Sequence, residues 1–160
     1  MNRRSFMTTA LMGASAISLG ARAAQAAYVK GDFEVTRSDA DWRALLSDAE
    51  FAVMREGDTE RPFTSPLNNE SRPGTFICKG CDQPVYDAAT KYDSGTGWPS
   101  FYQALDNAVE TMPDNSLFSR RTEVHCDRCG SHLGHIFDDG PKPTGKRHCL
   151  NGVSLKFIPE

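Results

Sequence analysis

Two Cys-x-x-Cys pairs constrain this chain more than any other feature. Cys78 and Cys81 lie in "CKGC" and Cys126 and Cys129 in "CDRCG", with residues 82–125 between them. Each pair belongs on a tight turn whose backbone can fold around a metal, and together they supply the four thiolates of a tetrahedral structural zinc. A chain that builds such a site must bring two distant turns to within a few ångströms, so its fold is organised around that junction. Two disulfides are the competing reading, and a thioredoxin-like redox motif is another. The latter needs one pair in a strand-to-helix setting, which neither pair has.

The compartment decides what cysteines can do. "MNRRSFM" carries Arg3 and Arg4, an apolar run of small residues follows, and "ARAAQAA" offers an Ala-x-Ala site at Ala24 and Ala26. This reads as a twin-arginine signal, residues 1–26, removed near Ala26 to leave a mature domain of residues 27–160 in the periplasm. The apolar run is shorter than the roughly 20 residues of a spanning helix. Twin-arginine cargo crosses folded, so zinc can be loaded in the reducing cytoplasm before the thiols meet an oxidising compartment. Without Arg3, Arg4 and Arg22 the mature domain has 15 basic against 21 acidic side chains, a net charge of −6. That balance argues against nucleic acid or an anionic membrane as partner.

The mature chain shows no internal repeat. Ser38 precedes "DADWRALL", and Ser47 with Glu50 forms a capping box opening "DAEFAVMRE", which stops at Gly57; two short helices are predicted. Beyond "RPFTSP" the texture changes to β-rich pieces, "TFIC", "PVY", "SLFSRRTEVHC", "HIFD" and "VSLKFI", separated by Gly, Pro, Asn and Asp. The class is mainly β, an antiparallel sheet core with small helices in front.

The fifth cysteine, Cys149, stands outside the pairs in "GKRHCLNG". Free cysteines are often simply buried. Here Arg147 can stabilise a thiolate, since strand alternation puts it on the same face as Cys149. Upstream, "SHLGHIFDDGP" places His132 and His135 so as to flank a turn, and a thiolate with histidines is a catalytic pairing when the fold joins them. The alternatives for the histidines are a His-x-x-His zinc site or satisfied polar core groups. "SGTGWPSF" offers Trp98, Pro99 and Phe101 as an apolar surface, a weak signal by itself. A zinc-stabilised binding module, with Cys149 a buried bystander, is the alternative to an enzyme.

The succession "TERPF", "CKGC", "KYDSGTGWPSF", "CDRC", "HLGHIFDDGP", "PTGKRHCLN" resembles the B-type methionine sulfoxide reductases, the peptide-methionine (R)-S-oxide reductases, from about Trp42 to Phe157. The resemblance implies two antiparallel sheets flanked by small helices, structural Zn2+ on the four paired cysteines, and reduction of the R epimer of methionine sulfoxide in oxidised proteins or peptides. It makes Cys149 the nucleophile, His132 and His135 the proton carriers, Asn151 and Arg147 the residues that order the site, and Trp98 with Phe137 the receptor for the substrate methyl group. Enzymes of this kind serve one sulfoxide epimer each. Many relatives carry a resolving cysteine where this chain has Thr96, so the Cys149 sulfenic acid is expected to be reduced by a small-molecule or thioredoxin-like thiol. His148 stands where tyrosine is common and Gly152 where serine is frequent. A monomer is expected, with the twin-arginine translocase its partner during export.

Overall fold

A computed structural model describes residue 29 and residues 31–115 and 120–160. The signal reading, residues 1–26, lies outside them. Helix α1 spans Asp39–Leu45 and α2 spans Asp48–Glu56. Both open on capping boxes: Ser38 pairs reciprocally with Asp41, and Ser47 with Glu50. Gly57 closes α2 in the left-handed region at φ 75° and donates its N–H to Ala52 O, the expected glycine stop.

Among the described residues nine strands follow: β1 (Gly74–Cys78), β2 (Pro84–Asp87), β3 (Lys91–Tyr92), β4 (Ser100–Phe101), β5 (Val109–Asp114), β6 (Arg121–Cys126), β7 (His132–Phe137), β8 (Arg147–Leu150) and β9 (Leu155–Pro159). They form two antiparallel sheets, one ordered β2-β1-β9 and the other β3-β4-β8-β7-β6-β5. Two sheets flanked by short helices is the architecture expected from the sequence.

Phe76 on β1, Tyr86 on β2 and Phe101 on β4 are fully buried and join the sheets. The Phe76 and Phe101 rings meet edge-on at 4.9 Å, and Tyr86 lies 4.6 Å from Phe101. Aromatic pairs of this geometry contribute about 0.5–1.5 kcal/mol beyond their area. Leu133, Leu150 and Val124 continue the core beneath the larger sheet, and α2 packs against β7.

Some elements differ from the sequence reading. The strand at β5 was not predicted, because "VETMPD" is mostly exposed, lacks apolar alternation and contains Pro113; it is an edge strand, where proline is tolerated. Val153 and Ser154 belong to a 3-10 turn, Gly152–Ser154, so the last strand starts at Leu155 rather than with "VS". Of the strand predicted over "SLFSRRTEVHC", the described part runs Arg121–Cys126, and residues 116–119 lie outside the described residues. Finally, His132 and His135 do not flank a turn; both lie on β7.

Candidate active site and metal centre

The two cysteine pairs occupy matching knuckles. Cys78 ends β1, and its carbonyl accepts from Asp82 N at 2.9 Å; Cys126 ends β6, and its carbonyl accepts from Gly130 N, also at 2.9 Å. The fourth residue after the first cysteine is left-handed in both, Asp82 at φ 59° and Gly130 at φ 65°. A Cβ on Gly130 would come within 2.4 Å of the Phe33 ring, so glycine is required there twice over.

All four Sγ atoms lie within 4.8 Å of one another, with Cys78 to Cys129 at 3.7 Å and Cys81 to Cys126 at 3.6 Å. These are nearly twice the roughly 2.05 Å of a disulfide, and all four cysteines are unbridged. A tetrahedron with metal–sulfur bonds of about 2.3 Å has sulfur–sulfur edges of about 3.8 Å, so the cage fits a four-thiolate metal site. Hydrogen bonding from Cys126 holds the Cys129 thiol well below the ordinary range, and Cys126 is pushed up by its bond with Cys129. Helix α2 braces the cage: Arg55 Nη1 donates to Cys129 O at 3.1 Å and Ser131 Oγ at 3.3 Å, and its guanidinium stacks 4.6 Å from the Trp42 ring.

Cys149 lies in a different place. On neighbouring antiparallel strands directly opposed residues share a face. The register defines one row across the larger sheet: Tyr92, Ser100, Cys149, His135, Glu123 and Met112. Beside this row is a cavity of about 130 Å³, lined by Cys149, His135, Trp98, Phe137, Asn151, Thr59, Arg121 and Gly134. It has room for roughly four waters. That suits a methyl sulfoxide and falls far short of the roughly 300–1,000 Å³ that larger ligands occupy. A groove of about 540 Å³ shares Trp98 but is lined by no cysteine or histidine, so the smaller cavity is the candidate site for thiol chemistry. A Cβ on Gly134 would fall 2.1 Å from Cys149 O, so only glycine lets β7 approach β8 here.

The pairing of the histidines depends on a bulge. Residues three apart on a regular strand face opposite sides. The β6–β7 register passes from Val124↔Gly134 to His125↔His132 and leaves Leu133 without an opposite residue. That extra residue returns His132 to the face of His135, and their ring centroids lie 5.3 Å apart. His135 Nε2 is 2.8 Å from Asp114 Oδ2, which also accepts from Arg121 Nη2 at 2.6 Å. Burial pushes the His135 pKa down, against the upward pull of Asp114. His132 is fully buried and does not line the cavity; its Nδ1 meets Glu123 Oε1 at 2.8 Å, and Glu123 Oε2 holds His125 Nδ1 at 2.7 Å. Glu123 keeps a lowered pKa: its two imidazole partners outweigh the burial that would raise it.

Arg147 does not line the cavity either, though it lies on the same face of β8 as Cys149. Its guanidinium stacks 4.3 Å from the Phe137 ring and donates twice to Asp139, both at 2.8 Å, which raises its pKa. Asn151 is a brace: its Nδ2 donates to the carbonyl of the bulged Leu133 at 3.2 Å, and its Oδ1 accepts from Glu60 N at 3.0 Å. Glu60 in turn accepts from Trp98 Nε1 on its carbonyl at 2.8 Å, and from Gly152 N on its carboxylate at 2.6 Å.

Of the residues singled out in the sequence, the structure brings Cys149, His135, Asn151, Trp98 and Phe137 around one cavity, and His132 and Arg147 are not in its lining. The sequence reading missed Glu60, Asp114, Arg121 and Glu123. Glu60 stands in the quoted "TERPF" and Glu123 in the predicted strand segment "RTEVHC", but nothing local assigned either a partner.

Fold and site together define a thiol enzyme built on a cysteine-knuckled pair of sheets, with one cysteine free for chemistry. The SelR domain family matches residues 46–159, and the chain belongs to that family. It is 47% identical over 133 residues to peptide methionine sulfoxide reductase MsrB of Leifsonia xyli subsp. xyli, covering 82% of this chain and 96% of that one. It is 46% identical to MsrB of Methanosarcina mazei, covering 79% and 91%, and 50% identical to that of Alteromonas mediterranea, covering 75% and 85%.

Proposed function

We propose that this chain is a peptide-methionine (R)-S-oxide reductase in which Cys149 is the nucleophile. The observation that carries the reading is Cys149, half-buried rather than an inert core thiol, opening on a small cavity walled by Trp98 and Phe137 and flanked by His135. Aromatic faces suit sulfur and methyl groups, which supplies the site for the tip of the oxidised side chain.

The chemistry follows from these groups. Neutral His135 takes the Cys149 thiol proton, and the thiolate attacks the sulfoxide sulfur. The imidazolium, made acidic by burial and steadied by Asp114, gives that proton to the sulfoxide oxygen. The protonated oxygen passes from the methionine sulfur to the Cys149 sulfur as the transient sulfur–sulfur bond breaks, so methionine leaves reduced by two electrons and Cys149 is left as the sulfenic acid. His132, anchored by Glu123, sets the position and field of His135. Arg147 supports Phe137, and Asn151 ties Trp98, through Glu60, to the bulge that carries the histidines.

The four-thiolate cage is read as structural Zn2+ on Cys78, Cys81, Cys126 and Cys129. All four ligands come from the protein, so no position is left for substrate. None of these cysteines lines the cavity, so an external thiol, small or thioredoxin-like, is the reductant. Arg3, Arg4 and the Ala-x-Ala site support export by the twin-arginine translocase to the periplasm, with cleavage near Ala26, and the mature domain is taken as a monomer.

Peptides carrying each sulfoxide epimer, incubated with the protein and dithiothreitol, test the reading. The R epimer should be consumed and the S epimer left. Absence of turnover, or equal turnover of both, would overturn it. Signal-peptide processing is read separately, by the N-terminal sequence of protein recovered from periplasm.

A further inference from the structure

The 94–101 loop carries three hydroxyls that lead to the nucleophile. Ser100 Oγ donates to Trp98 O at 3.2 Å, Ser94 Oγ lies 2.7 Å from Ser100 Oγ and 2.8 Å from Thr96 Oγ1, and Thr96 Oγ1 lies 3.8 Å from Cys149 Sγ. A hydroxyl has one proton to donate. The carbonyl at the end of the chain therefore fixes the direction of every link. Ser100 has spent its proton on Trp98 O, so Ser94 donates to Ser100, Thr96 donates to Ser94, and the Cys149 S–H points at Thr96. When negative charge appears at the Cys149 end the whole chain can reverse: Thr96 donates outward, Ser94 to Thr96 and Ser100 to Ser94. The reversal gives up only the Ser100–Trp98 bond, the longest of the oxygen–oxygen links. Ser100 is fully buried, so the inner end of the relay is shielded from bulk water, while Ser94 and Thr96 are half-buried.

We propose that this hydroxyl chain drives the second half of the reaction, with Thr96 a catalytic residue for reduction of the Cys149 sulfenic acid and Ser94 and Ser100 its positioning partners. The inference rests on Cys149 being the residue oxidised, as argued above. An external thiol attacks the Cys149 sulfur, its electron pair forms the S–S bond and the S–O bond breaks. Thr96 donates a hydrogen bond to the departing oxygen and stabilises the charge that gathers on it, and the oxygen takes up the proton released by the attacking thiol and leaves as water, so every hydroxyl of the chain keeps one proton. The net step is RSH plus Cys149–SOH giving Cys149–S–S–R plus H2O. A second thiol then releases RSSR and restores the Cys149 thiol.

The test uses sulfenic acid prepared in two ways without reductant: one equivalent of methionine-R-sulfoxide peptide, and separately one equivalent of hydrogen peroxide. Its loss on adding 2-mercaptoethanol is followed by quenching with dimedone and mass spectrometry. Thr96→Val keeps the shape and removes the hydroxyl, and it should slow mixed-disulfide formation by about 10- to 100-fold, the range for losing a proton or oxyanion donor. Thr96→Ser should restore the rate to within about threefold, and Ser100→Ala should fall between. Melting curves and metal content identify a folding defect; should Thr96→Val misfold, Thr96→Ala and Ser94→Ala take its place. Wild-type rates in Thr96→Val, or Thr96→Ser as slow as Thr96→Val, would overturn the proposal. If peroxide yields the sulfenic acid and sulfoxide does not, the proposed function fails, and the peroxide arm alone decides the role of Thr96.

Discussion

The cysteine cage and the Cys149 cavity are assembled by opposite strategies. At the cage, each half is a local turn: Cys78 with Asp82 and Cys126 with Gly130 repeat one knuckle geometry, and the fold has only to place the two halves together. At the cavity no two neighbours in sequence suffice. Cys149, His135, Trp98 and Arg121 come from β8, β7, the loop before β4 and β6, and they meet because strand register aligns them. A locally built site survives small errors of register. A register-built site does not, since a one-residue slip turns every side chain to the other face.

Breaking each site in turn should expose that difference. The largest effect is expected for Cys149→Ser, which should reduce turnover on the order of 10⁴-fold or more with fold and metal content unchanged, because a hydroxyl is no substitute for the thiolate. Steady-state assay with elemental analysis of the same preparation checks it; activity within tenfold of wild type would remove Cys149 as the nucleophile.

Cys126→Ser should do the reverse, losing the metal and destabilising the whole domain. A structural zinc contributes folding free energy directly, so the melting temperature should fall by more than about 10 °C and proteolysis should accelerate. A variant that melts like wild type, from a wild type without bound metal, would separate the cage from stability.

His135→Ala should lower the turnover number by about 10²- to 10⁴-fold, as loss of a general acid does, while the Michaelis constant changes little. His132→Ala should produce a smaller loss, since His132 acts through its neighbour and does not line the cavity. Equal effects, or effects confined to the Michaelis constant, would contradict this division of labour.

The smallest effect concerns His148, which borders Cys149 in sequence yet is half-buried against the core, with Nδ1 2.9 Å from the Tyr86 hydroxyl. Burial, then the nearby Lys146 charge, push its pKa down from 6.5 to about 4. As pH falls, the unfolded chain binds this proton first. The stabilisation is therefore complete above about pH 6.5, declines between 6.5 and 4, and is gone below about 4, amounting to at most about 3 kcal/mol. Wild type should lose stability relative to His148→Phe as pH falls across that range, read from melting curves of both; a difference that does not change with pH would rule the effect out.

How much of this could be read from the chain alone depends on the range of the interaction. The helix start at Ser38, the capping box at Ser47, the stop at Gly57, the two cysteine knuckles and the singular position of Cys149 are patterns within a few residues, and each stands in the structure where its spacing placed it; that Ser38 also closes a box with Asp41 is seen only in the structure. The edge strand β5 was not legible, because its exposed face carries no hydrophobic alternation, and with it Asp114 went unseen. The bulge at Leu133 was not legible either. Alternation sends His132 and His135 to opposite faces, and only the mismatch in register between β6 and β7 brings them together. Likewise Glu60 reaches Trp98 and Asn151 across 38 and 91 residues of chain, a closure that no local preference encodes. The sequence by itself determined which atoms could do the chemistry and hold the metal, because those are properties of side chains and short turns. Tertiary structure alone decided which of them share a cavity, because pairing register is set by the packing of both sheets at once.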